Sequence, residues 1–295
     1  MERRERRERW FRLGQRAATA AYGCAIEGYV CPLCSGVWPI EALESKHLTG
    51  EHVPPKGLGG RELVLTCRTC NTLQGAALDR HAVDEQKFLR AAQMEIGTTR
   101  RVVWNGIRSD LAVVEGEDGE PTILITGVPG ANSPAAMSAA FAPLDEAAAA
   151  GSDGSNLQFH IELEDRAHIP RATLSYLRAA YLAGFAVFGY GWALTGPLEP
   201  LREQLRRPDE VIVTPTVLMA EDDSPAMAII TPPDWPPTLA VTLGYRQIML
   251  PYQWSGRDFF DGLIEHRQNL PPGPVTIESI DIRWPTGPIH AWDLD

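Results

Sequence analysis

Apolar positions along this chain follow two kinds of spacing, and their succession predicts a mixed α+β protein. Helical spacing recurs in four places. Residues 1–20 carry Glu2/Arg6, Glu5/Arg9 and Glu8/Arg12 at i,i+4 in the favourable order, with Trp10, Phe11 and Leu13 available to dock the helix. Asn71 to Glu95 has helical spacing and few breakers. Pro170 opens a third helix, in which Leu174, Leu177, Tyr181, Phe185 and Phe188 follow at steps of three or four. A fourth is predicted from Gly256 to Arg267. Strand-like runs fill most of the rest: RRVVWNG, DLAVVEG and PTILITGV within residues 99–128, the alternating FHIELE, then VIVTPTVLM, AMAIIT, LAVTL, RQIMLP and VTIESIDIRW. Residues 129–156 are rich in Ala, Gly, Ser and Pro and read as a linker or loop with room for one short helix. No internal repeat is visible.

The punctuation divides the chain into a basic N-terminal helix (1–22), a motif-bearing module (23–95), a β-hairpin segment with its linker (96–156) and a larger C-terminal α+β domain (157–295). Ala179 to Leu194 is the most apolar stretch. It is shorter than the ~20 residues a membrane span needs, and it reads as a buried core helix. No membrane association is expected.

Charge is unevenly spread. The formal net charge is -11, yet residues 1–90 hold 14 basic against 11 acidic residues, and the remainder holds 13 against 27. Only the N-terminal part suits a polyanionic partner. The chain opens MERRERRERW, without the apolar core of a signal peptide. That favours a reducing cytoplasm.

Five cysteines are too few for a disulfide scaffold, and four form two C-x-x-C pairs, Cys31/Cys34 and Cys67/Cys70. Four thiolates in this pattern suit tetrahedral zinc. The 32 residues between the pairs are enough for a β-hairpin, and a small module needs such a staple. Cys24, unpaired, reads as a small core residue.

Between the knuckles lies Glu51-His52-Val53-Pro54-Pro55, followed by the glycine-rich Gly57-Leu58-Gly59-Gly60. A strand ending at Glu51-His52, a loop, a returning strand ELVLT and a helix opened by Asn71 would bring a carboxylate, an imidazole and an amide oxygen together. Phosphodiester hydrolysis calls for such a set: oxygen ligands for Mg²⁺ or Mn²⁺, and an imidazole to deprotonate water.

The run CPLC…EHVPPKGLGG…LTCRTCN…GAALD resembles the HNH endonuclease family, in its variant with zinc knuckles and an E-H-V-x-P…G-G signature. The likeness covers residues 29–81 closely. More loosely, RATLSYLRAAYLAGFAVFGYGWAL…LREQLRRPD is similar to a helical segment downstream in long members. The resemblance implies a zinc-stapled ββα-metal module followed by a larger α+β domain. It implies His52 as general base, Glu51 and Asn71 as ligands of a catalytic Mg²⁺ or Mn²⁺, and Cys31, Cys34, Cys67 and Cys70 as structural zinc ligands. Glu62 stands where many members carry the middle asparagine, and Asp79 fits a Gly-x-x-Leu-Asp ending compatible with a supporting role.

The expected function is therefore metal-dependent endonuclease action on nucleic acid, with DNA favoured over RNA on the resemblance. A homodimer is left open, since a palindromic cutter would need one. The competing expectation is a zinc-stabilised nucleic-acid-binding or scaffold protein that does not cleave. Residues 157–295 show no motif with a chemical rationale. Asp222, Asp223, Asp258, Asp261, Glu265 and His290 read as solvated surface, and Trp192, Trp235, Trp254, Trp284 and Trp292 as core or partner surface.

Overall fold

The computed structural model describes residues 3–151, 161–163, 168–221, 223–254, 256, 258–270 and 276–288. The protein is α+β, with two compact units. One joins residues 1–83 to 169–295, and the other comprises 84–168. The expected boundaries at 22, 95 and 156 are not where the chain divides. The first 83 residues share a core with the C-terminal part, because a helix of that part covers their hairpin.

Helix α1 (Arg3–Tyr22) buries Trp10, Phe11 and Leu13, the docking residues read from the sequence, together with Gly14, Ala17 and Ala18. The two-residue strands β1 (Tyr29–Val30) and β2 (Val37–Trp38) pair antiparallel around the first cysteine knuckle. Strands β3 (Leu48–Val53) and β4 (Arg61–Cys67) form an antiparallel hairpin. Its loop is closed at Gly60, where a β-carbon would lie 1.5 Å from the Pro54 carbonyl oxygen. Only glycine fits there. A wide π-helical turn over Cys70–Gly75 leads into α2 (Ala76–Ala92).

The second unit is an antiparallel sheet of β5 (Thr99–Trp104), β6 (Ile107–Glu115), β7 (Pro121–Gly127) and β8 (Ile161–Leu163), in the order β7-β6-β5-β8. Asn105 and Gly106, both at positive φ, make the tight β5–β6 turn that an Asn-Gly pair favours. Helix α3 (Pro134–Ala149) occupies most of the expected linker. Alanine has the best helix propensity, and this one gains a core besides: Ala140 is buried, and the Phe141 ring meets Trp104 edge-on at 4.7 Å. Of FHIELE, Ile161–Leu163 is strand, while Phe159, His160 and Glu164 lie outside the described residues.

Back in the first unit, α4 (Ile169–Phe188) is followed by α5 (Tyr190–Ala193) and α6 (Glu199–Arg206). Strands β9 (Val217–Met219), β10 (Ala226–Thr231), β11 (Thr238–Leu243) and β12 (Arg246–Pro251), helix α7 (Phe259–Asn269) and strand β13 (Glu278–Ile282) complete it. The five strands form one antiparallel sheet in the order β13-β10-β11-β12-β9. The run VIVTPTVLM yields only the short β9, because Pro215 cannot donate to a ladder.

From Leu174 to Ala186 every residue of α4 is buried. The helix lies against β11 and β12 as well as against β3 and β4, which explains why it is apolar nearly all round. No described helix is long and apolar enough to cross a membrane. Trp192 is buried, and Trp235, Trp254 and Trp284 pack partly buried against the core. Asp222, His290 and Trp292 lie outside the described residues. Cys24 is exposed, against the expectation of a core position, because it follows the end of α1 in a turn.

Candidate functional site

The two C-x-x-C pairs meet. One ligand atom from each of Cys31, Cys34, Cys67 and Cys70 lies within 4.8 Å of the others. The Cys34 and Cys67 sulfurs are 3.7 Å apart, close to the edge of ~3.8 Å that a tetrahedron with 2.3 Å zinc–sulfur bonds requires. The backbone N–H of Cys67 points at Cys31 Sγ (3.4 Å) and that of Cys70 at Cys67 Sγ (3.5 Å), as befits thiolates. Cys31, Cys67 and Cys70 are buried. Burial pushes the Cys31 thiol up, and its hydrogen bond pulls Cys34 down. The donor set fits a metal such as zinc.

Glu51 and His52 are adjacent in β3 but face different surroundings. The β3–β4 pairing shifts register between them, with Glu51 opposite Val64 and His52 opposite Glu62. The extra residue is Leu63 on β4, and along β3 the strand's alternation sends the two neighbouring side chains to opposite faces. Glu51 is only 3% exposed. Its Oε2 accepts hydrogen bonds from Thr66 Oγ1 (3.0 Å) and Arg178 Nη2 (2.7 Å), and its Oε1 accepts one from Arg178 Nη1 (3.2 Å). Arg178, from the middle of α4, also donates to the Cys70 carbonyl at 3.4 Å.

Asn71 and Asp79, both half-buried, approach the same guanidinium. A β-carbon placed on Gly75 would be 3.5 Å from Asp79 Oδ2, 3.7 Å from Asn71 Oδ1 and 3.8 Å from Arg178 Nη1, so these three groups converge. The Asn71 amide donates to Thr49 Oγ1 (3.0 Å) and the Gly50 carbonyl (3.4 Å), which turns its oxygen toward Asp79. Asp79 accepts a hydrogen bond from Ser175 Oγ at 2.8 Å. Burial raises its carboxyl to about 6, although Arg178 and Ser175 pull the other way. Burial also acts against the Arg178 guanidinium, but the charges of Glu51 and Asp79 outweigh it and hold its pKa above the ordinary value.

His52 instead lines a groove of about 650 Å³ with Arg3, Arg6, Arg61, Glu62 and Trp284. Neither Glu51, Asn71 nor Asp79 lines it. The structure thus brings Glu51, Asn71 and Asp79 together and places His52 on a separate wall. Glu62, at the position of the resemblance's middle asparagine, is clamped by three arginines of α1: Arg3, Arg6 (3.1 Å) and Arg7 (2.7 Å). Burial pushes its carboxyl up, but the bonds from Arg3 and Arg7 win and hold it at about 2.

A catalytic divalent metal does not fit this arrangement. Its principal carboxylate is sealed from solvent and already bonded bidentately to a guanidinium, which takes both of its oxygens. Sequence reasoning missed Arg178. The signal was present: a lone arginine in the apolar run LSYLRAAYLAGF is costly to bury without a carboxylate partner.

No protein-family model matches the chain, and no curated protein and no solved structure matches it.

Proposed function

We propose that this chain is a zinc-stapled module of the HNH type that engages nucleic acid without hydrolysing it while Arg178 holds Glu51. The observation that carries this reading is the buried Glu51–Arg178 pair, with the two side chains 4% and 3% exposed. A guanidinium replaces the divalent ion as counter-charge to the carboxylate. The four-cysteine cluster supplies the staple, with zinc as a structural ion. The His52 groove supports a phosphate backbone as ligand, since Arg3, Arg6 and Arg61 outnumber the single carboxylate of Glu62 along its walls. DNA is the first substrate class to test.

A second reading, metal-dependent endonuclease action, is favoured by the convergence of Asn71 and Asp79 beside Glu51 and by the half-buried His52 facing an open groove. Under it, His52 would take a proton from water attacking a phosphodiester.

One pair of measurements separates the two. Supercoiled plasmid is incubated with the zinc-loaded protein in Mg²⁺ or Mn²⁺, beside His52→Ala and an EDTA control. Labelled duplex binding is followed against salt for the unaltered chain and for Arg61→Ala. The proposal expects binding without nicking, and a salt slope shallower by about 1 in Arg61→Ala. Metal-dependent nicking lost in His52→Ala would replace it with the second reading.

A further inference from the structure

We infer that Arg178 and a divalent metal are mutually exclusive occupants of the Glu51–Asn71–Asp79 centre, with the guanidinium as the resident cation. The inference rests on the reading of this hairpin as HNH-like, and it adds what decides the state of the site.

The Arg178 guanidinium is bonded to Glu51, and its Nη1 lies with Asp79 Oδ2 and Asn71 Oδ1 within 4 Å of a β-carbon placed on Gly75, so two carboxylates and an amide oxygen surround one cation. A carboxylate as buried as Glu51, with a second carboxylate near its counter-ion, is not stable without positive charge. Arg178 provides it, bidentate on Glu51 and with Asp79 as its second anionic neighbour. The fit is incomplete. Arg178 Nε is buried and has no hydrogen-bond partner, although its two terminal nitrogens are engaged. Arg178 also sets only one positive charge against the two carboxylates of Glu51 and Asp79. The oxygens of Glu51, Asn71 and Asp79 are the hard donors that Mg²⁺ and Mn²⁺ select, whereas the sulfurs nearby select zinc. Removing the guanidinium leaves a site of the right chemistry with no cation in it.

The assignment also accounts for the position of the arginine. It comes from α4, not from the hairpin or α2, so the state of the centre follows the docking of the C-terminal helix.

The test uses the full-length chain saturated with zinc, titrated with Mn²⁺ and followed by the electron-paramagnetic signal of the free ion. The unaltered chain should show no tight Mn²⁺ site. Arg178→Gln, first shown by zinc content and melting to be folded, should gain one site per chain, tighter by about tenfold or more. The gain should vanish in Arg178→Gln combined with Glu51→Gln. Arg178→Lys, which keeps a cation, should remain without metal. A folded Arg178→Gln that binds Mn²⁺ no better than the unaltered chain overturns the inference. So does a tight Mn²⁺ site in the unaltered chain that Asn71→Ala removes, an outcome that does not require any change at Arg178. No nucleic acid enters the assay, so its result stands apart from whether the chain binds or cuts DNA.

Discussion

The Tyr181 hydroxyl donates to the Pro32 carbonyl at 2.7 Å, reaching from the middle of α4 into the first cysteine knuckle across 149 residues of sequence. The same helix sends Ser175 to Asp79, Tyr176 to the Ala82 carbonyl and Arg178 to Glu51. Tyr190, just beyond it, donates to the Val30 carbonyl at 2.5 Å. The hairpin and its metal-ready cluster are therefore walled by α4, and changes on either side are felt on the other.

The cysteine cluster is the first place to test this coupling. Cys67→Ser leaves three sulfurs in a buried tetrahedral set and should lose most of its bound zinc. Structural zinc contributes ~10–16 kcal/mol in small units that fold only around the metal, so a large drop in melting temperature is expected. Zinc assay and calorimetry measure both, and an unchanged melting curve would mean that α4 packing alone sustains the knuckle.

The Glu51–Arg178 pair should behave asymmetrically under mutation. Glu51→Gln leaves a guanidinium buried without its carboxylate and should cost ~3–5 kcal/mol, whereas Glu51→Gln with Arg178→Met should recover most of the loss. Urea unfolding of the four members of the cycle gives the coupling energy. A double-variant loss equal to the sum of the two single losses would show that the pair is not coupled.

Asp79 makes stability depend on pH in a defined sense. Its folded carboxyl titrates at about 6, above the ~3.9 of an unfolded aspartate. The contribution of this raised value is complete below about pH 4 and is lost as pH rises through 6. Asp79→Asn should therefore gain stability relative to the unaltered chain above pH 6 and match it near pH 4. Carbon-13 titration of the carboxyl reads the value directly, and a midpoint near 4 would remove the basis for this expectation.

Glu62 works in the opposite direction. With a folded value of about 2, its contribution is present above the ~4.3 of an unfolded glutamate and disappears as pH falls through 2. Glu62→Gln should free the guanidinium groups of Arg3, Arg6 and Arg7, loosening the first turns of α1 in hydrogen exchange. It should also tighten duplex binding and steepen its salt dependence by up to about 2–3. Binding indistinguishable from that of the unaltered chain would place the α1 arginines outside the nucleic-acid surface.

What was legible in the sequence was local. The four cysteines announced their cluster through spacing, the β3–β4 hairpin followed from the Gly-rich loop between two apolar runs, and α1 and α4 followed from 3.6-residue periodicity. What was not legible depended on contacts between distant segments. Nothing local shows that Arg178 meets Glu51 or that Arg3, Arg6 and Arg7 converge on Glu62. Arg6 was expected to pair within its helix with Glu2, which lies outside the described residues, and it also reaches Glu62 on β4. The separation of Glu51 from His52 follows from the two-residue period of β3, which sends neighbouring side chains to opposite faces, so it was implicit in their adjacency.

The separation of Glu51 from Arg178 by 127 residues has a consequence in time. At ribosomal rates of about 5–20 residues per second, Arg178 is added about 6–25 s after Glu51. All four knuckle cysteines and the β3–β4 hairpin precede it on the nascent chain. A newborn molecule can thus sequester zinc while its acidic centre is still open to whatever cation surrounds the ribosome, and the arrival of α4 then selects the counter-charge that the mature protein keeps.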